Sequence, residues 1–329
     1  NSAATAFNAL SSTQVGALQT TQIAALQLEQ VRRMTGTQVA LLSTEQLDAM
    51  SRSQLGAISW TAVAAMTTTQ IASLDDTQLS ALTATQVGYL ADTQLAVLTT
   101  SQMARLTVTQ LRALTTTQIG ELVSTQIDAL TSTQMSSLTS TQIKGLSEEQ
   151  LSDMTTTRIQ QLTSAQLAGL TQTQIAKLSE DQMAALSITQ MRGLTYTQMA
   201  ALSALQVAAL SSTQLSALST TQVKGLNASN ISGLDQTDIA ALATTQVAAL
   251  AGGAVAALAD TQIAAFTTRQ LTSLSTTAMS ALTATSLDAL SEDELALFTS
   301  NQVRALTTTA IASLDTTQLN ALDTTQISR

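Results

Sequence analysis

Glutamine recurs every eight residues along the whole of this chain. It stands at Gln14, Gln22, Gln30, Gln38, Gln46 and Gln54, and the same phase is still running at Gln302, Gln318 and Gln326. Between residues 6 and 326 the period fits 41 octads without insertion or deletion, and Gln fills 31 of the slots. The others hold Ala6, Ala62, Arg158, Asn230, Asp238, Ala254, Ala278, Ser286, Glu294 and Ala310. The next slot is apolar in every octad, from Phe7 and Val15 through Met191 to Ile327. Three residues later a second apolar slot runs Leu10, Leu18, Leu26, Met34 to Leu322, with Ile58, Phe266 and Phe298 among its substitutes. The consensus is Leu-[Ser/Thr]-x-Thr-Gln-[Ile/Val/Leu/Met]-x-Ala-Leu. A strict short period marks a repeat architecture, in which each unit packs only on its neighbours.

The spacing of the two apolar slots selects the local structure. Residues three apart face opposite sides of a strand but share one face of a helix. A single continuous helix is excluded, because eight residues at ~100° each move the apolar stripe by ~80° per repeat, against the ~20° a coiled-coil seam tolerates. The helix must therefore stop and restart in every octad. The restart signal is present: the slot after Leu is Ser, Thr, Asp or Asn in 33 of 41 octads, with Gln three residues on. This is a capping box, in which the hydroxyl accepts from the third helical N–H and the Gln reaches back to the cap. Thr131 with Gln134, Thr115 with Gln118 and Ser211 with Gln214 are such pairs. Leu130 and Met135 are placed as the matching hydrophobic staple, and Leu114, Ile119, Leu202 and Val207 occupy the same core slots.

A helix of roughly six residues is too short to stand alone and must bury its apolar pair against neighbours. The slot before Leu is usually small, as at Ala185, Gly193 and Ser273, which lets adjacent backbones approach. The expected fold is an all-α solenoid of about 41 octapeptide repeats, continuous over residues 1–329, with about three octads per superhelical turn. A β-solenoid is the alternative suggested by the Thr and Ile content, opposed by slot parity and by the abundance of Ala.

Composition removes most chemistry. With no Cys and no His there is no disulfide, thiolate, imidazole base or zinc site. The formal charge is −9 and charged residues make up 11% of the chain, so a phosphate backbone is repelled on average. No enzyme activity, cofactor, metal or nucleic-acid partner is expected, and no apolar run is long enough to span a membrane. The paired carboxylates at Asp75-Asp76, Glu148-Glu149, Glu180-Asp181 and Glu292-Asp293-Glu294 sit at caps or first turns, where they favour the helix N-terminus. Trp60, Tyr89 and Tyr196 break the slot preferences singly and read as incidental surface aromatics. The sequons at Asn227 and Asn230 read as slot substitutes, and O-linked glycans on the Ser/Thr-rich rim are left open. The Thr ladder at Thr69, Thr77, Thr85 and Thr93 is expected to make weak polar contacts between turns.

The octad Leu42-Ser-Thr-Glu-Gln46-Leu-Asp-Ala-Met50 resembles the helix-opening phrase of transcription-activator-like effector repeats. That longer two-helix repeat carries a base-reading loop that has no counterpart here, so its DNA binding is not carried over. The chain as a whole resembles the long, Cys-free, Thr/Gln/Ala-rich tandem-repeat structural proteins of bacterial surfaces and secreted fibres. The resemblance implies an extracellular or cell-surface structural role.

The uniform array offers few distinct sites, low charge and small outward residues such as Ala24, Ala200 and Ala248. The terminal octad, Leu322-Asp-Thr-Thr-Gln326-Ile327, is as apolar in its slots as the interior and invites stacking. With no Met at Asn1 and no signal peptide, the chain is expected to be processed or cut from something longer. The functional expectation is a filament, fibre or sheath built by homopolymerisation, end to end and laterally. A rigid stalk or spacer of a surface adhesin, or a scaffold for protein partners, is the alternative.

Overall fold

The computed structural model describes residues 9–328; the first slots of the period, Ala6 and Phe7, lie outside them. Among the described residues the chain is all helical, with 39 α-helices of four to six residues, one 3-10 helix at Ile231–Gly233, and no strand. One helix forms per octad, and the fold is an α-helical repeat solenoid. The β-solenoid alternative is set aside.

Each restart has one geometry. The residue after Leu adopts an extended conformation, as at Thr131 (φ −66°, ψ 161°) and Ser211 (φ −70°, ψ 156°), and the helix begins one residue later. Helix ends need no left-handed residue: the Leu N–H bonds to the carbonyl three residues back, as from Leu202 to Met199 at 3.3 Å, and Leu202 itself turns extended (φ −64°, ψ 143°). No described residue has a positive φ. The corner is built by ordinary residues because the next hydroxyl cap, and not a left-handed residue, supplies the partner for the exposed N–H groups.

The chain divides into two compact units, 1–154 and 155–329. The second opens at Thr155, which caps the octad whose Gln slot holds Arg158. In the first unit Ser12–Gly16 packs on Gly36–Ala40, and Ala84–Gly88 on Val108–Arg112. In the second, Ser164–Gly169 packs on Ile188–Gly193, and Gln172–Ala176 on Tyr196–Ala201. Every such partner lies three octads away in sequence. The side-chain contacts between turns run at 25 to 31 residues, so one superhelical turn takes between three and four octads.

Inside each unit the apolar pair forms the core. Met135, Ile119 and Val207 are fully buried, and Leu130, Leu114 and Leu202 nearly so. Small residues sit where turns approach most closely. A Cβ on Gly120 would stand 2.6 Å from the Gly145 carbonyl, and one on Gly193 would stand 2.6 Å from the Ser164 Cβ.

Candidate functional site

The element that repeats with full chemical identity is the Gln side chain, so it is the natural candidate for what this chain is built to do. Its carbonyl end closes the capping box. Thr131 N–H donates to Gln134 Oε1 at 2.6 Å, while Gln134 N–H donates to Thr131 Oγ1 at 3.2 Å. The corresponding distances are 2.8 and 3.1 Å for Thr115 with Gln118, and 2.8 and 3.3 Å for Ser211 with Gln214. The Gln contribution survives where the cap residue has no acceptor: Ala91 N–H donates to Gln94 Oε1 at 2.8 Å, and Val123 N–H to Gln126 Oε1 at 3.1 Å.

Sequence reasoning did not anticipate the other end of the side chain. Gln134 Nε2 donates to the Met103 carbonyl at 2.9 Å and the Leu106 carbonyl at 2.7 Å, 31 and 28 residues earlier. Gln118 reaches the Gly88 and Leu90 carbonyls at 3.1 and 2.7 Å, and Gln214 reaches those of Met183 and Leu186 at 3.1 and 2.9 Å. These carbonyls belong to the C-terminal end of a helix one superhelical turn back: those of Leu106 and Leu186 have no partner within the helix, while those of Met103 and Met183 take the amide beside the N–H of the Leu three residues on. One amide therefore caps its own helix at the N-terminus and another helix at the C-terminus. From Gln38 onward the slot Gln side chains are accordingly buried, Gln134 at 3% exposure, and among the described residues no buried side-chain nitrogen or oxygen lacks a partner. The signal was available in the ratio of residue types: a capping box accepts Glu or Gln equally, yet this slot holds Gln 31 times and Glu once. Only the amide can donate.

The substituted slots show what the amide does by how the fold adjusts. Asn230 has a shorter arm but makes the same bonds, from Nδ2 to the Met199 and Leu202 carbonyls at 3.0 and 3.3 Å, with Oδ1 accepting from Asn227 N–H at 2.8 Å. To reach, its octad tightens into the 3-10 helix Ile231–Gly233. A Cβ on Gly233 would then overlap the Ala204 carbonyl oxygen, so only Gly fits. Asn230 is fully buried, and the Asn227 amide is bonded to the Ala200 carbonyl at 2.9 Å; both sequons are occupied by structural work. Ser286 bonds Thr283 at 2.9 Å within its own octad, and the Arg158 guanidinium donates to Gln161 Oε1 at 2.7 Å.

The expected polar contacts from the Thr ladder are not there. Thr69, Thr77, Thr85 and Thr93 are exposed, and the polar tie that recurs from turn to turn is that of Gln. The aromatics also need correcting. Trp60 and Tyr89 do not act singly: their rings stack, 4.1 Å between centroids and 30° between planes, while both remain exposed. They stand 29 residues apart, the offset that also pairs Arg105 Nε with Asp76 Oδ2 at 3.1 Å and Ser124 Oγ with Asp153 Oδ2 at 2.7 Å. The first helical position of one octad thus meets the slot before Leu of a later one, and at this rung the residue types vary. Tyr196, exposed at the same first-turn position, is faced across the rung by Gly225.

The carboxylate pairs lie in first turns, as at Glu148–Glu149 and Glu180–Asp181. Open furrows of 360, 420 and 630 Å³ run between turns at the capping ends, lined by Glu180, Asp181 and Leu205, by Glu292, Asp293 and Asp315, and by Asp235 and Gln262. No group of three or more carboxylates able to hold a metal occurs among the described residues. Hydrogen bonds from the Thr317 and Thr325 hydroxyls, joined by backbone N–H groups, hold the Asp315 and Asp323 carboxyls below the usual range. No described helix is long and apolar enough to cross a membrane.

Two stretches, residues 108–140 and 295–329, match the ALTTAQ repeat family. This is a tandem-repeat protein. The family's description spells the Leu slot, the cap and the Gln, which Ala113-Leu-Thr-Thr-Thr-Gln118 shows within the first match. No curated protein matches the chain.

Proposed function

We propose that this repeat protein is a structural element that assembles with copies of itself into an extracellular or cell-surface filament, fibre or sheath, and that it is not an enzyme. The observation that carries the reading is the Gln tie itself. Most octads use the same amide to join turns, so the contact is heterologous and self-repeating, the kind of contact that extends an assembly when it is made between chains. Outward residues are small and weakly charged, with Ala24 and Ala248 exposed and Ala200 half-buried, which suits lateral packing. The cysteine-free, Ser/Thr-rich composition and the likeness to surface and fibre repeats support a location outside the cell. The chain bears no fixed partner other than itself and takes no cofactor in this reading; residues 1–329 act as one repeat array.

A rigid stalk or interaction scaffold is the second reading, favoured by one observation: the exposed Trp60–Tyr89 pair is a local feature that a uniform polymer does not need. Electron microscopy of the purified chain separates the two. Long filaments of constant width support assembly; dispersed short particles at high concentration refute it and leave the stalk or scaffold.

A further inference from the structure

The Gln tie is missing from three successive octads at one place in the array. From Gln14 on, a slot without a side-chain amide otherwise stands between two that carry one, as Ala62, Arg158, Asp238, Ala254 and Ala310 do. Ala278, Ser286 and Glu294 are consecutive. Ala278 has no polar side chain, Ser286 bonds Thr283 within its own octad at 2.9 Å, and Glu294 Oε2 accepts from the Ser291 N–H and hydroxyl, each at 2.8 Å. Among the described residues no hydrogen bond or ion pair joins 275–298 to 243–266. The octads on either side keep their ties: Gln270 to the Ile239 and Leu242 carbonyls at 2.8 and 2.7 Å, and Gln302 to those of Leu271 and Leu274 at 2.9 and 3.1 Å. A superhelical turn takes three to four octads, so the gap runs through most of one turn.

The octad 251–258 within this tract lacks every local support that the repeat provides. Ala251 has no hydroxyl to cap the helix Gly252–Ala256, and Ala254 has no amide to return the bond. Its first turn holds two glycines, the least favourable helix residue after Pro. A Cβ on Gly253 would meet open space, so packing does not require that glycine. With Ala254 in its own slot and Ser286 in the slot 28 residues beyond Leu258, this octad is tied neither to the preceding turn nor to the following one. The helix Thr276–Met279 packs on it, and its octad is also untied on both sides, through Ala278 and Ala310. What remains there is the apolar core, with Val255 and Met279 fully buried.

We propose that this tract is a built-in joint of the solenoid, at which the coil opens between 251–258 and 275–282 while the tied turns on either side stay closed. Amide ties are directional and hold successive turns in register, whereas apolar contact is non-directional and lets them slide or part. Local opening is drawn from the least supported elements of a structure, and in this array those elements lie next to one another. The joint lets the solenoid bend or lengthen at a fixed place without unfolding elsewhere. The inference does not depend on self-assembly.

Hydrogen exchange of the full chain, corrected for intrinsic rates, tests it. Amides of Gly252–Ala256 and Thr276–Met279 are expected to exchange about tenfold faster than those of Ile188–Gly193 and Ser212–Ser216, whose octads are tied on both sides, the effect of one to two net hydrogen bonds. They should also exchange faster than Ser300–Ala305, which lies nearer the end of the chain. Ala278→Gln with Ser286→Gln and Glu294→Gln puts the repeat's own residue behind the existing caps Ser275, Thr283 and Ser291 and should bring the tract to the slow rate. Glu294→Gln alone, nearly isosteric, should slow Asp260–Ile263 by about fivefold, the effect of one such bond, so the test does not depend on the triple variant folding. Wild-type protection over the joint equal to that of the tied helices, rates that climb steadily towards residue 328, or folded variants that exchange as fast as the wild type overturn the proposal.

Discussion

The side-chain amide of Gln198 lies 2.7 Å from the carbonyl oxygen of Leu167, 31 residues earlier, and 2.8 Å from that of Leu170. Its other end accepts the Thr195 N–H at 2.8 Å. A single uncharged side chain so completes one end of each of two different helices, which explains how helices of four to six residues, far below the length stable alone, persist throughout the array.

The apolar slots and the rung slots should respond very differently to truncation. Leu202 is 3% exposed and Tyr196 47%. Leu202→Ala is expected to cost about 2–5 kcal/mol as a buried truncation, whereas Tyr196→Ala should change stability by less than about 0.5 kcal/mol. Chemical denaturation of the two variants checks this; equal losses would contradict the slot assignment.

Two glycines make a sharper pair. Gly233 faces the Ala204 carbonyl with no room for a Cβ, while Gly253, in the helix Gly252–Ala256, has open space around it. Gly233→Ala should destabilise clearly, and Gly253→Ala should stabilise by about 0.5–1 kcal/mol through helix propensity. Thermal unfolding of both variants gives the signs.

How much of this could be read before any coordinates follows from which interactions are local. The Thr131–Gln134 box spans three residues, so residue types and spacing disclose it, and the apolar slots at Leu130 and Met135 follow from the same period. The bond from Gln134 to Leu106 spans 28 residues, and its offset depends on how sharply each corner turns, which the eight-residue period does not specify. The stacking of Trp60 on Tyr89 was hidden for the same reason. Asn230 and Gly233 look like ordinary substitutions until the contraction of their octad links them.

Trp60 and Tyr89 should be energetically coupled despite their exposure. A double-mutant cycle with Trp60→Ala and Tyr89→Ala is expected to give about 0.5–1.5 kcal/mol of interaction. Additive effects would mean that the stacking contributes nothing.

Acid should loosen the final octads. Asp315 and Asp323 cap their helices through carboxyls held below the usual range, chiefly by the Thr317 and Thr325 hydroxyls. A lowered folded-state value means the unfolded chain takes up protons first as pH falls. The stability these caps add is present above the ordinary Asp range and lost as pH falls through the lowered values. Hydrogen exchange over 315–327 should accelerate on strong acidification, and Asp315→Ser with Asp323→Ser should remove that response; an unchanged response would contradict it.

The claim that an amide donor ties one turn to the next is tested most directly by Gln198→Glu, which keeps the shape and the capping acceptor, removes the donor and sets a carboxylate oxygen against the two carbonyls. Denaturation at neutral pH should show a loss of at least about 1–3 kcal/mol, the cost of leaving the Leu170 carbonyl unpaired and a carboxylate beside it, with part of it recovered in acid as the carboxyl regains a proton. A variant as stable as the wild type at neutral pH would show that the turns are held together by something else.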